Sequence, residues 1–171
     1  MAQEPDTRRT DEGTARDVDA EAILRAFLLS NSGAKTVARS LKPGAEVAIS
    51  FTDRPGDWRL YPNEAGQAVL EPTRASDPDF ELTIPPGAIR EICSRTESDV
   101  GELGVAFFEQ IVTREQHLRI QVKVRSGVIK LTLRGWLGVL AAGGPKVAMW
   151  MTKRGLRGRG AIATALERLK G

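Results

Sequence analysis

The side chains equipped for chemistry are few and lie far apart along the 171 residues. One histidine, His117, and one cysteine, Cys93, are present. A nucleophile needs a base beside it and usually a third group to orient that base, so two isolated residues of this kind build no obvious catalytic set. His117 opens a basic strand on its outward side and reads as a solvated surface histidine. Cys93 shares an apolar helix face with Ile89 and Ile92 and reads as core packing. The acids show no metal-ligand spacing with histidine or cysteine, and a single cysteine forbids an intrachain disulfide. No catalytic residue, metal or cofactor is therefore assigned. What remains is a set of cations, Arg119, Lys123, Arg125, Lys130 and Arg134. Their chemistry is to hold anions: acids on a neighbouring strand, such as Glu81, or the headgroups of an anionic membrane, worth about 1 kcal/mol per cation near such a surface.

One further stretch has the look of a ligand loop. Arg157-Gly158-Arg159-Gly160-Ala161-Ile162-Ala163-Thr164-Ala165-Leu166 is similar to the acyl-CoA loop of GNAT acetyltransferases, where amides at a helix N-terminus hold a pyrophosphate. Ile162 stands where that motif wants glycine or alanine. Only eleven residues follow Gly160, too few for the strand and helix that complete that fold. The simpler reading is a basic Gly/Arg linker into a last amphipathic helix carrying Ile162, Leu166 and Leu169.

The elements that must position any site centre on residues 103–133. Leu103, Phe107 and Ile111 repeat every four residues, as do Gly104, Phe108 and Val112, and the two rows merge into a wide apolar helix stripe. The following strand alternates, with Leu118, Ile120, Val122 and Val124 on one side and Arg119, Gln121, Lys123 and Arg125 on the other. A two-residue Ser126-Gly127 turn would pair it with a second strand, Val128–Leu133. In that register Val124 meets Ile129, Val122 meets Leu131 and Ile120 meets Leu133. It also sets Lys123 against Lys130 and Arg119 against Arg134, a like-charge arrangement that acids must offset. A broad apolar helix face over an apolar sheet face makes either a packed core or a hydrophobic cavity.

Around this centre the pattern is that of one domain. Residues 1–17 are polar and expected to be a disordered acidic extension rather than a secretory signal. Residues 1–21 hold seven acids against three arginines, a net −4, while residues 145–171 hold seven cations against Glu167, a net +6. A helix begins near Asp19, with Val18 and Ile23 as a hydrophobic staple and Ile23, Leu24, Phe27 and Leu28 as its buried stripe. It breaks at Ser32-Gly33, and a shorter helix runs to Leu41. Alternation over 47–51, 58–61, 67–71 and 80–84 predicts a meander of antiparallel strands with one face covered. Pro85-Pro86-Gly87 opens the Cys93 helix. Trp136 to Met151, interrupted by Gly143-Gly144-Pro145, predicts two short helices that close over something. No run of eighteen apolar residues exists, which argues against a membrane helix and makes cytoplasmic the expected location.

In sum the order of elements resembles the sterol carrier protein type 2 family of lipid-binding domains, over about residues 20 to 151. The resemblance is carried by Val47 to Phe51, Trp58 to Tyr61, the run Asp79-Phe80-Glu81-Leu82-Thr83-Ile84 entering Pro86-Gly87-Ala88-Ile89, the Gly101 to Ile111 helix and the His117 to Val124 strand. It implies an α+β fold: a twisted, mainly antiparallel sheet of about five strands with helices on one face, spanning 18–154, followed by a basic linker and helix over 155–171. It further implies a non-enzymatic carrier, holding a fatty acyl chain, acyl-CoA, sterol or isoprenoid in an apolar cavity between the sheet and the helices. The expected helical wall is Leu103, Phe107, Phe108 and Ile111; the floor, Ile120, Val122, Leu131 and Leu133; the movable lid, Trp136, Leu140, Met149, Trp150 and Met151. Leu169-Lys170-Gly171 is not the peroxisomal address that eukaryotic members often carry, so a bacterial or other non-peroxisomal protein is expected. Partners would be an apolar small molecule and, transiently, an anionic membrane. An acyl-CoA-dependent acyltransferase fragment and an interaction module using the basic face are the alternatives. Nucleic acid is not expected, since exposed aromatics are not interleaved with the cations. Ligand identity and oligomeric state are left open.

Overall fold

The computed structural model describes residues 19–95 and 99–153, with the side chain of Met151 outside the description. The expectations for the acidic extension, the Val18 half of the staple, the acyl-CoA-like loop and the terminal helix all fall outside these residues.

Helix α1 (Ala20–Ser30) starts where expected because Asp19 caps it, its carboxylate accepting from the Glu21 amide at 3.0 Å. The neighbouring Arg54 guanidinium and that amide hold the Asp19 carboxyl below its ordinary range. Asn31 then serves two helices at once. Its amide bonds the Phe27 carbonyl at 2.8 Å, ending α1, and its side chain accepts from the Ala34 amide at 2.9 Å, starting α2 (Ser32–Ser40).

Four strands follow at the expected positions: β1 (Val47–Phe51), β2 (Trp58–Pro62), β3 (Ala68–Glu71) and β4 (Phe80–Ile84). Helices α3 (Pro86–Cys93) and α4 (Val100–Val112) precede β5 (Gln121–Val124), and α5 (Val128–Leu133) and α6 (Trp136–Lys153) complete the described chain. The sheet order is β3-β2-β1-β4-β5. Three pairings are antiparallel; β1 and β4 run parallel, with Val47 beside Phe80 and Phe51 beside Ile84. The fold is thus α+β with a five-stranded mixed sheet, and the expected simple meander is corrected at one point. The link after β3 does not turn back beside it but crosses two strands to place β4 next to β1.

Strand alternation sorts the sheet cleanly. Val47, Ile49, Phe51, Trp58, Leu70 and Ile84 face the helices and are buried with Phe27, Ala34, Ala88, Ile89 and Cys93. The other face is polar. Arg59 stands beside Glu71, Glu81 beside Lys123, and the Arg59 guanidinium lies over the Tyr61 ring at 4.1 Å. Cys93 sits in the core, and burial pushes its thiol up to about 12, so it is no nucleophile at neutral pH.

The larger correction concerns 113–134. The strand expected from His117 is only four residues long, and His117 lies in the turn before it, 74% exposed, with Glu115 at 3.6 Å. The expected second strand is the helix α5, so the pairing of Val124 with Ile129, Val122 with Leu131 and Ile120 with Leu133 does not exist; nor do the Lys123–Lys130 and Arg119–Arg134 clashes. The physical reason lies in Lys130 and Arg134, which both bind Asp77, at 2.6 and 2.8 Å. Four residues apart in a strand they would be about 13 Å apart; on a helix they are about 6 Å apart and share one carboxylate.

Candidate functional site

The expected wall and lid meet in the layer formed by α4 and α6. Asp99 caps α4 by accepting from the Glu102 amide at 2.9 Å. Its two apolar rows do not form one stripe; they face different partners. Leu103, Phe107 and Ile111 press half-buried on the core. The row of Gly101, Gly104 and Phe108 receives α6. A Cβ on Gly101 would stand 2.8 Å from the Gly143 carbonyl oxygen, and one on Gly104 would stand 2.8 Å from a Val147 methyl. These two glycines exist where the helices come closest. Phe108 stacks on Trp150, ring centres 6.0 Å apart at 29°, and meets Phe107 edge-on at 6.3 Å. Wall and lid therefore meet in direct contact at Gly101, Gly104 and Phe108.

Helix α6 is two segments, 136–143 and 145–153, as the Gly143-Gly144-Pro145 break predicted. Gly144 has φ 52° and ψ −146°, far from helical values, a conformation glycine tolerates, and Pro145 follows it. Between Gly135 and Pro145 no residue carries a charge. The second segment is tied back by Lys146, whose ammonium bonds Asp99 at 2.6 Å and Glu102 at 3.0 Å. Bonding to Lys146 and to the Glu102 amide lowers the Asp99 carboxyl below its ordinary range, and the two acids raise Lys146.

The remaining expected residues divide. Ile120 is fully buried, and Val122 packs beside it against the core. Leu131 is the one inward side chain of α5, whereas Leu133 is 68% exposed and cannot be a floor. Leu140 and Trp150 are half-buried, and Met149 is 58% exposed, on the outside of its helix. Trp136 is no movable lid residue: its ring meets Phe80 edge-on at 4.8 Å and its indole N–H donates to Asp79 at 2.8 Å.

Asp79 is the group that the residue pattern did not expose. Fully buried, its carboxylate accepts from the Ser126 hydroxyl at 2.6 Å, an Arg134 guanidinium N–H at 2.8 Å and the Trp136 indole. Its backbone bonds Glu46 and Arg125. The buried Glu46 carboxylate in turn holds Ser76, Asp77 and Arg59. One buried acid therefore ties the β3–β4 crossover, the end of β5 and the α5–α6 junction together. Its only sequence signal is an acid placed just before a strand. The expected basic surface is correspondingly reduced: Arg134 is 16% exposed and spent on Asp79 and Asp77, Lys130 is paired with Asp77, and Arg125 is paired with Glu81 at 2.7 Å. Glu81 thus neutralises Arg125 rather than the like-charged pairs it was expected to offset. Arg119 and Lys123 stay on the surface.

Two open clefts of polar lining are also present. One of about 560 Å³ lies at the C-terminal end of α4, between Glu91, Glu109, Arg114 and Leu118. Another of about 790 Å³ lies on the outer sheet face between Ser50, Arg74, Glu81 and Thr83. Neither is lined by a residue of the expected wall, floor or lid. Among the described residues no cluster of His, Cys, Asp or Glu could hold a metal ion, and no helix is long and apolar enough to cross a membrane.

Neither family models nor curated proteins match the chain. Among solved structures it is similar to one described as "UbiJ-SCP2 Ubiquinone synthesis protein", with 15% identity and a TM-score of 0.40, over 73% of this chain and 89% of that one.

Proposed function

We propose that this chain is a non-enzymatic carrier that takes an apolar chain, a fatty acyl or isoprenoid group, between α4 and a parted α6. The observation that carries the reading is the construction of α6: an uncharged first segment, a non-helical Gly144, and a second segment held by an exposed ion pair and by Phe108–Trp150 stacking. Moving that segment breaks no sheet hydrogen bond and uncovers Phe108 and the glycine row of α4. A guest placed there replaces α6 contacts with its own. Each methylene withdrawn from water contributes about 0.8 kcal/mol, so a chain of about ten buried carbons supplies about 8 kcal/mol gross. Ordering of guest and helix offsets part of it. Binding strength then follows from alkyl length rather than from named polar contacts.

Because Gly101 and Gly104 bring the two helices into contact and Phe108 stacks on Trp150, entry of a guest requires α6 to part, on the timescale of local helix motions. Titration with a fluorescent fatty acid tests this. Saturable uptake that strengthens with alkyl length is expected, with loss of uptake in Phe108→Asp, the α4 ring stacked on Trp150, measured alongside its circular dichroism. Uptake unchanged by that substitution in a folded protein would remove α4 from the binding wall.

A further inference from the structure

Helix α5 wears its polarity inside out. Of its four apolar side chains only Leu131 points inward, while Val128 is 59% exposed, Ile129 80% and Leu133 68%. At 100° per residue, Val128, Ile129, Thr132 and Leu133 share one outward arc. Leu137, 46% exposed, extends it onto α6, whose next outward positions are Gly138, Ala141 and Ala142. Lys130 and the capping Arg134 are turned the other way, toward Asp77 and Asp79. Solvated helices show the reverse arrangement, and a contiguous exposed apolar surface of this kind marks a docking face.

The charges around the patch select its partner. The acids bound by Lys130, Arg134 and Arg125 are each engaged by a cation: Asp77 with Lys130 and Arg134, Asp79 with Arg134, Glu81 with Arg125. At the C-terminal end of α5 the Lys42 amide bonds the Arg134 carbonyl at 3.0 Å, which sets the exposed Lys42 beside the patch. At the other end, exposed Lys123 stands in the strand that leads into the helix. An apolar centre flanked by the exposed cations Lys42 and Lys123 complements an anionic lipid surface.

We propose that the outward face of α5, continued by Leu137, docks the protein on an anionic phospholipid bilayer. The proposal goes beyond the carrier reading, because the docking face lies on α5 and the outward side of α6 at Leu137, not in the seam between α4 and α6, and would act whether or not a guest is bound there. The full chain, cosedimented with vesicles of phosphatidylcholine and phosphatidylglycerol, is expected to partition onto them, and to do so less as salt rises. The double substitution Val128→Asp/Ile129→Asp is expected to lower partitioning by at least roughly tenfold while leaving circular dichroism and fatty-acid uptake unchanged. Both positions lie in the first turn of α5, where aspartate suits the helix. Equal partitioning by the double variant overturns the proposal, as does equal binding of the native chain to phosphatidylcholine alone. A variant that only converts a dimer to a monomer, with no vesicle binding by either, overturns it too and assigns the face to a second copy. Loss of fatty-acid uptake with vesicle binding intact would instead count against the carrier reading and leave this one standing.

Discussion

Replacing Asp79 with alanine should loosen the protein at the junction of β5, α5 and α6 more than any other single polar substitution described above. The carboxylate is fully buried and serves three side-chain donors: the Ser126 hydroxyl, the Arg134 guanidinium and the Trp136 indole. Removing one partner of a buried pair typically costs 3–5 kcal/mol, because the other charge stays behind. Here the cost falls at the lower end. Arg134 keeps the Asp77 carboxylate at 2.8 Å and the Asp77 carbonyl at 2.9 Å. The indole and the hydroxyl lose their acceptor outright, at about 1 kcal/mol each. The expected loss is about 3 kcal/mol, or about 10 °C in Tm for a domain of this size. Urea unfolding followed by tryptophan fluorescence and circular dichroism measures it. The attribution is checked by the double variant Asp79→Ala/Arg134→Met, which should be more stable than the sum of the single losses predicts, by at least about 1 kcal/mol. A cost for Asp79→Ala below about 1 kcal/mol, or strict additivity with Arg134→Met, would refute the view that this acid holds the junction.

Three more outcomes are expected. Gly101→Ala drives a methyl against the Gly143 carbonyl, and overpacking of this kind costs about 1–3 kcal/mol; hydrogen exchange should quicken over 145–153 and stay unchanged in β1 and β4. The Lys146–Asp99 pairing should titrate at both ends. With the Asp99 value lowered, its contribution is complete above the ordinary carboxylate value of about 3.9 and is lost as pH falls through the lowered folded value. With Lys146 raised, its contribution is complete below the ordinary lysine value and is lost as pH climbs through the raised one. Exchange protection of 145–153 is therefore flat around neutrality and falls in acid, and Lys146→Gln abolishes the acid step. Finally, Cys93, buried with its thiol near 12, should resist a thiol reagent in the native protein at neutral pH and react promptly in urea.

Much of the architecture was legible because local pattern and final environment agree. Val47, Ile49 and Phe51 alternate in sequence and in burial, and Asp19 and Pro86 start helices where capping chemistry places them. The parallel pairing of β1 with β4 was not legible, since it depends on the crossover that Glu46 and Asp79 fasten, and two acids thirty-three residues apart carry no periodic signal. Val128–Leu133 misled for a definite reason. Val-Ile-Lys-Leu-Thr-Leu is rich in strand-favouring types, and the constraint that coils it, one carboxylate shared by Lys130 and Arg134, is tertiary. The apolar wall was legible as a set but not as two rows. Nothing in the four-residue spacing says that Phe107 turns to the core and Phe108 to Trp150. The basic face suffered most, because Arg134 reads as a surface cation until the buried Asp79 is known.

The account stands on an apolar chain entering between α4 and α6. A fatty acid bearing a photoreactive diazirine on its alkyl tail, irradiated with the full chain and mapped by peptide mass spectrometry, addresses that directly. Adducts on peptides of 100–112 and 136–153, suppressed by excess unlabelled fatty acid, are the predicted result. Adducts confined to the polar clefts at Arg114 or Arg74, or labelling that excess fatty acid leaves undiminished, would contradict it.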